Sequence, residues 1–174
     1  MKKDKIAILL PFKDHFSHSD AGSASIWVKD FNKKSQYKKS ITVFGNTDNL
    51  DNLIDKKNYV NLPVSNLNFS SKNVSYVNEF IKYHFKKKYD LIEVHNRPSY
   101  IHQILKNKVN SKLVLIFHNN PLSLGGSESV SERESLLNSC DKMIFVSRWV
   151  KEKFFEKFEK KNHPKCEIIY PSIN

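Results

Sequence analysis

Two hydrophobic patterns alternate along this chain. Short stretches such as "KIAILLPF", "KLVLIFH" and "DKMIFVS" are apolar at nearly every position, while longer stretches return an apolar residue every three or four. The first pattern suits strands covered on both faces, and the second suits amphipathic helices. The order begins with a strand at "KIAILLPF", a polar loop "KDHFSHSD", and a helix opened by the small residues of "AGSASIWVKDF". In that helix Ile26, Trp27 and, at the margin of the pattern, Phe31 are expected to point inward. A strand "SITVFG" closed by Gly45 follows, then a loop-like Asn/Asp-rich stretch from Asn46 to Leu67 with a short candidate strand at "NYVNLPV". "SKNVSYVNEFIKYHFKKK" spaces Val74, Val77, Phe80, Ile81 and either His84 or Phe85 along one helical face.

From there the alternation is regular. "YDLIEVH", "KLVLIFH", "DKMIFVS" and "CEIIYP" read as strands; "PSYIHQILKNK", "SESVSERESLLNSC" and "RWVKEKFFEKFEKK" read as the helices between them. Ser131 and Glu134 have the spacing of a capping box near the start of the second of these helices. Strand and helix in strict alternation predict a parallel sheet with helices on both faces. The expected fold is a Rossmann-like, doubly wound α/β domain spanning residues 1–174, with no internal boundary or repeat. In such a sheet all strand C-termini share one edge, where ligands bind. His95-Asn96-Arg97, His118-Asn119, Ser147-Arg148 and the loop from Lys13 to Gly22 are all expected there.

Composition narrows the classes. At 174 residues with 39% hydrophobic and 27% charged content, the chain suits one soluble domain with a real core. Its apolar runs are too short to span a bilayer, and "MKKDK" lacks the features of a secretory signal, so a cytoplasmic location is expected. Cys140 and Cys166 have no metal or disulfide spacing and read as reduced, partly buried thiols. The net charge of +11 points either to a polyanionic partner or to compositional drift, because nearly all of it is lysine. Arginine stands only at Arg97, Arg133 and Arg148, and these are the more informative positions because arginine reads phosphate bidentately. The lysine clusters "YHFKKKY" and "FEKFEKKNHPK" read as cations at helix C-termini, with peripheral contact to an anionic membrane as the functional alternative. Their aromatic neighbours are spaced like a core face and not like a base-stacking platform, so nucleic acid is not expected.

Each candidate at the sheet edge admits two readings. His118 either is a satisfied loop histidine or meets a substrate, as a hydrogen-bond donor or as an acid or base near neutral pH. His95 is the weaker candidate, since Asn96 and Arg97 can instead cap the helix that begins at Pro98. Gly22, with Ser23 after it, offers close backbone approach at a helix N-terminus, or simply starts the helix. Ser147 suits an N-cap, and Arg148 beside it suits a phosphate contact.

In their order and spacing, "ILLPF…AGSASIWVKDF", "DLIEVHNRP", "LVLIFHNNP", "RESLLNSCDKMIFVSRWVKEKF" and "CEIIYPSIN" resemble the N-terminal domain of the group-1, family-four glycosyltransferases. These are retaining nucleotide-sugar enzymes with two facing Rossmann-like domains, the GT-B architecture, and the resemblance covers essentially the whole chain. It implies transfer of a sugar from a nucleotide-sugar donor to a glycan or lipid-linked acceptor in cell-envelope polysaccharide synthesis, with neither metal nor cofactor. It places His118 in the cleft near the transferred sugar, and the turn Ala21-Gly22-Ser23 near the donor diphosphate or acceptor. The family usually carries paired glycines in that turn, where this chain has Gly22 alone. The donor-binding half is expected to lie outside these residues, which leaves this fragment inactive by itself. The rival reading is a non-enzymatic Rossmann-like module that binds a nucleotide or polyanion.

Overall fold

A computed structural model describes residues 4–64 and 71–171. Residues 65–67 of the loop-like stretch and the final "SIN" of the last motif lie outside the described residues. Seven strands, β1 (Ile6–Leu9), β2 (Ile41–Gly45), β3 (Tyr59–Asn61), β4 (Leu91–His95), β5 (Lys112–Phe117), β6 (Lys142–Phe145) and β7 (Cys166–Ile168), form one sheet in the order β3-β2-β1-β4-β5-β6-β7. Every pairing is parallel. The chain steps outward from β1 to β3, then returns to build the other side from β4. The order therefore reverses between β1 and β4, and a ligand crevice opens at such a reversal. This is a Rossmann-like α/β fold. The register aligns the strand ends along one edge: Leu9 stands beside Phe44 and Val94, His95 beside Ile116, and Phe117 beside Phe145.

Five helices connect the strands: α1 (Ser23–Lys34), α2 (Lys72–Lys87), α3 (Pro98–Lys106), α4 (Val130–Ser139) and α5 (Arg148–Phe154). The two sheet faces are covered unequally. On one, residues of α2, α3, α4 and α5 pack with inward side chains such as Ile92, Val94, Leu115 and Phe117. Phe117, Phe145 and Phe154 meet there with ring centroids 5.3 to 5.5 Å apart. On the other face, Ala24, Trp27 and Val28 of α1 pack on Ile8, Val43, Val114 and Ile116. One helix cannot cover so wide a face, so the sheet edge beside α1 is left open.

Several local expectations change. Ile26 and Phe31 are 49% and 48% exposed, because α1 turns only its Trp27 and Val28 side onto the sheet. Val74 is exposed at the first turn of α2, and of the pair His84 and Phe85 it is His84 that is buried. The capping box sits two residues earlier than expected: Ser129 Oγ accepts from Glu132 N, and Glu132 Oε2 accepts from Ser129 N. α5 stops at Phe154, well before the end of the lysine-rich stretch. Arg133, expected among the phosphate-reading arginines, is 1% exposed. Its guanidinium donates to the carbonyls of Ser127, Glu128 and Glu156 and lies over the Phe158 ring, so it ties α4 to the segment after α5. Cys140 and Cys166 are free and buried, and burial pushes their thiols up to about 12 and about 11. Among the described residues no helix is long and apolar enough to cross a membrane.

Candidate functional site at the strand ends

β4 alternates its side chains, so Ile92 and Val94 enter the four-helix side while Glu93 and His95 share the α1 side. His95 is paired in register with Ile116, and His118 lies two positions beyond Ile116, on the same face. That geometry brings three polar side chains into one line. Glu93 Oε1 is 2.7 Å from His95 Nε2, and His95 Nδ1 is 2.9 Å from His118 Nε2. The two imidazoles lie 22° from coplanar with centroids 5.2 Å apart, the spacing of rings joined edge to edge by a hydrogen bond. Trp27 packs against both, its centroid 5.4 Å from His95 and 6.1 Å from His118. The His95 side chain is wholly buried, and that of Glu93 is 14% exposed.

The donors and acceptors in this line set one another. An ionised carboxylate only accepts, so Glu93 takes the hydrogen of His95 Nε2. The 2.9 Å contact between His95 Nδ1 and His118 Nε2 carries a single hydrogen, so the tautomer of the pair sets the role left to His118 Nδ1. Burial first, and the neighbouring His95 ring second, lower the His118 pKa to about 3. His118 is therefore neutral near pH 7. It offers an oriented ring nitrogen for hydrogen bonding there, not the acid–base group titrating near neutrality that its residue type suggests.

Asn96 holds the two strand ends together. Its backbone N donates to Ile116 O at 2.7 Å, and its Oδ1 accepts from the backbone N of His118 and Asn119 at 3.3 and 3.2 Å. Its φ of +52° lies in the left-handed region, which asparagine tolerates better than most residues. Asn119 itself is exposed.

His118 lines a cleft of about 460 Å³, with Ser23, Ile26, Trp27, Asp30 and Phe31 of α1 on one wall and Val146, Ile169, Tyr170 and Pro171 on the other. The partly exposed Ile26 and Phe31 are thus cleft surface, and Trp27 and Phe31 stack at 5.0 Å. Gly22 stands at the head of this helix, but its tightest neighbour is a residue of the chain itself. Its N–H donates to Asp14 Oδ1 at 3.1 Å, and a Cβ there would come within 2.6 Å of the Asp14 carboxylate.

The remaining expected residues lie apart from the cleft wall. Arg97 is the residue before α3 and its Nη1 donates to the carbonyl of Asn96, while Ser147 caps α5 by accepting from Val150 N. Arg148 is exposed on α5 and lines a separate hollow with Lys151 and Lys157. Sequence reasoning did not find Glu93, Trp27, Asp30 or Tyr170 as site residues. For Glu93 a signal existed: a carboxylate inside an apolar strand, two residues before a histidine, needs a partner on the same face.

No protein-family model matches this sequence, and no curated protein sequence matches it. Solved structures do. HepE from Anabaena in complex with UDP-glucose aligns with a TM-score of 0.68 at 15% identity, covering 97% of this chain and 44% of that one. Sucrose-phosphate synthase from Thermosynechococcus elongatus aligns with a TM-score of 0.62 at 15% identity, covering 95% and 48%. UDP-N-acetylglucosamine 2-epimerase from Rickettsia bellii aligns with a TM-score of 0.58 at 12% identity, covering 96% and 44%. The chain spans about half the length of each. At these identities the likeness establishes the fold: the described residues have the Rossmann-like fold of one half of structures whose names carry UDP-sugar or sugar-phosphate chemistry.

Proposed function

We propose that residues 1–174 are the acceptor-side, N-terminal domain of a retaining glycosyltransferase of the group-1, family-four type. The whole enzyme moves a sugar from a nucleotide-sugar donor to a glycan or lipid-linked acceptor in cell-envelope polysaccharide synthesis, in the cytoplasm or at the inner face of the membrane. Its donor-binding domain lies outside these residues, and its chemistry uses neither a metal nor a bound cofactor. The observation that carries the reading is His118, kept neutral by its burial and hydrogen-bonded to the His95 that Glu93 holds, at the wall of an open cleft at the strand ends. The names of the structural neighbours, which include UDP-glucose as a bound ligand, support a nucleotide sugar as the substrate class.

In this reading the cleft closes against the second domain, excludes water and brings an acceptor hydroxyl toward the anomeric carbon of the donor. His118 Nδ1 shares a hydrogen bond with a sugar hydroxyl and fixes its orientation; Ser23, Asp30 and Asn119 supply further polar contacts around it. In an enzyme carrying both domains, His118→Ala should lower kcat by about 10²-fold or more, the usual scale for an oriented polar group in a transition state. His95→Ala should lower it less, since His118 keeps its backbone anchor to Asn96. Steady-state kinetics with thermal melts on the same proteins test this. A His118→Ala enzyme that turns over normally per folded molecule would remove the site assignment.

A further inference from the structure

α1 has a second flank. Away from the cleft, Lys29, Asn32 and Lys33 of α1 form one wall of a groove of about 770 Å³, which Lys38 and Lys39 after the helix and Lys57 before β3 complete. The groove and the strand-end cleft share no lining residue. All five lysines are exposed, and none has a carboxylate within ion-pair distance among the described residues, where the paired lysines are Lys82, Lys142 and Lys153.

The groove contains one acid, Asp55, and its carboxylate is already used. Asp55 Oδ1 accepts from the backbone N of Lys57 and Asn58, and Oδ2 accepts from Asn58 Nδ2. Asp55 therefore offsets at most one of the five lysine charges, and most of that charge is left uncompensated within the groove. Cations at a helix C-terminus are common and account for Lys33, but not for Lys57, which a different connection brings to the same hollow. Asn32 also lines the groove; it is 9% exposed and its buried Oδ1 has no hydrogen-bond partner.

We infer that this groove is a second ligand site, which binds a phosphate-bearing group of two or more negative charges. Five ammonium groups around a concavity suit a multiply charged, loosely oriented anion. A single carboxylate ligand would leave most of that charge unmatched, and lysine lacks the fork that reads one planar group bidentately. A nucleic-acid strand would need a run of exposed rings on which to stack its bases, whereas of the rings lining the groove Phe16 is 1% exposed and the exposed His18 stands alone. The ligand is either a soluble diphosphate compound or the headgroups of an anionic lipid surface. This inference stands independently of the transferase reading.

The test measures binding of the 174-residue chain to inorganic pyrophosphate by calorimetry, and to vesicles of phosphatidylcholine with and without about one third phosphatidylglycerol. Two charge-matched triple variants are compared: Lys29→Glu, Lys33→Glu and Lys57→Glu in the groove, against Lys106→Glu, Lys108→Glu and Lys112→Glu, exposed lysines from the end of α3 to the start of β5. The groove variant should weaken binding at least about tenfold at low ionic strength, and the second variant by less than about twofold. Groove-dependent binding of pyrophosphate identifies a soluble diphosphate; groove-dependent binding of anionic vesicles alone identifies headgroups. Glutamine in place of glutamate should preserve the ranking. Equal loss in both variants, or no binding of either probe, would overturn the inference.

Discussion

His118 shows how far a side chain's chemistry depends on its neighbours. An exposed histidine titrates near neutrality, but here burial and the adjoining His95 ring lower its pKa to about 3. Between about pH 6.5 and about pH 3 the unfolded chain therefore binds a proton at this position that the folded chain does not. Stability contributed by His118 rises with pH across that window and falls as the solution is acidified. Replacing it with glutamine, which cannot titrate, should flatten the dependence of Tm on pH between about 6.5 and 4. His84, whose pKa burial also lowers, keeps the same sign of slope in both proteins. Thermal melts at stepped pH measure the difference; an identical slope in the two would mean that His118 is not held neutral.

At the scale of elements, α1 performs three tasks on three sides: core packing through Trp27 and Val28, the cleft wall through Ile26 and Phe31, and the lysine groove through Lys29 and Lys33. Its starting point is fixed by the close fit of Gly22 against Asp14. The Gly22 φ is −76°, which any residue adopts, so space and not backbone conformation demands glycine. Gly22→Ala forces its Cβ into the Asp14 carboxylate and should destabilise the domain by about 1–3 kcal/mol. Adding Asp14→Ala should recover much of that loss, because it removes the clash at the cost of one hydrogen bond to Gly22 N. Denaturant titrations of the two single variants and the double variant complete the cycle. Additive losses would show that the contact does not set the helix position.

At the scale of the whole molecule, the proposed transferase reading makes the open cleft beside α1 half of an enclosure. Besides His118 and α1, the cleft is lined by Val146, Ile169, Tyr170 and Pro171, with Tyr170 64% exposed. Departure of a nucleoside diphosphate needs cations or helix N-termini facing its phosphates. Here Asp14 already accepts from the N–H at the head of α1, and Arg148 faces another hollow. The 174-residue chain alone should therefore release no nucleoside diphosphate from any nucleotide sugar, with or without acceptor, in a coupled assay. Turnover above the no-enzyme rate would overturn the half-enzyme reading.

The order of strands and helices was legible in the sequence because a parallel sheet buries both faces of its strands, and the resulting apolar runs are a local signal. The Ser147 cap on α5 was legible for the same reason, since a cap is satisfied within its own turn. Parallel topology also implied, without coordinates, that His95, Asn96, His118 and Asn119 would gather at one edge. What the sequence could not decide is which distant groups face one another. The alignment of Glu93, His95 and His118 depends on the β4–β5 register, and the neutrality of His118 depends on the burial that Trp27 helps create. Arg133 reads as a phosphate-contacting arginine until α4 packs against the segment after α5 and buries it. Ile26 and Phe31 read as core because periodicity reports that a face is apolar, not what covers it. Only the tertiary arrangement, with four helices on one side of the sheet and α1 on the other, turned that face into the wall of a cleft.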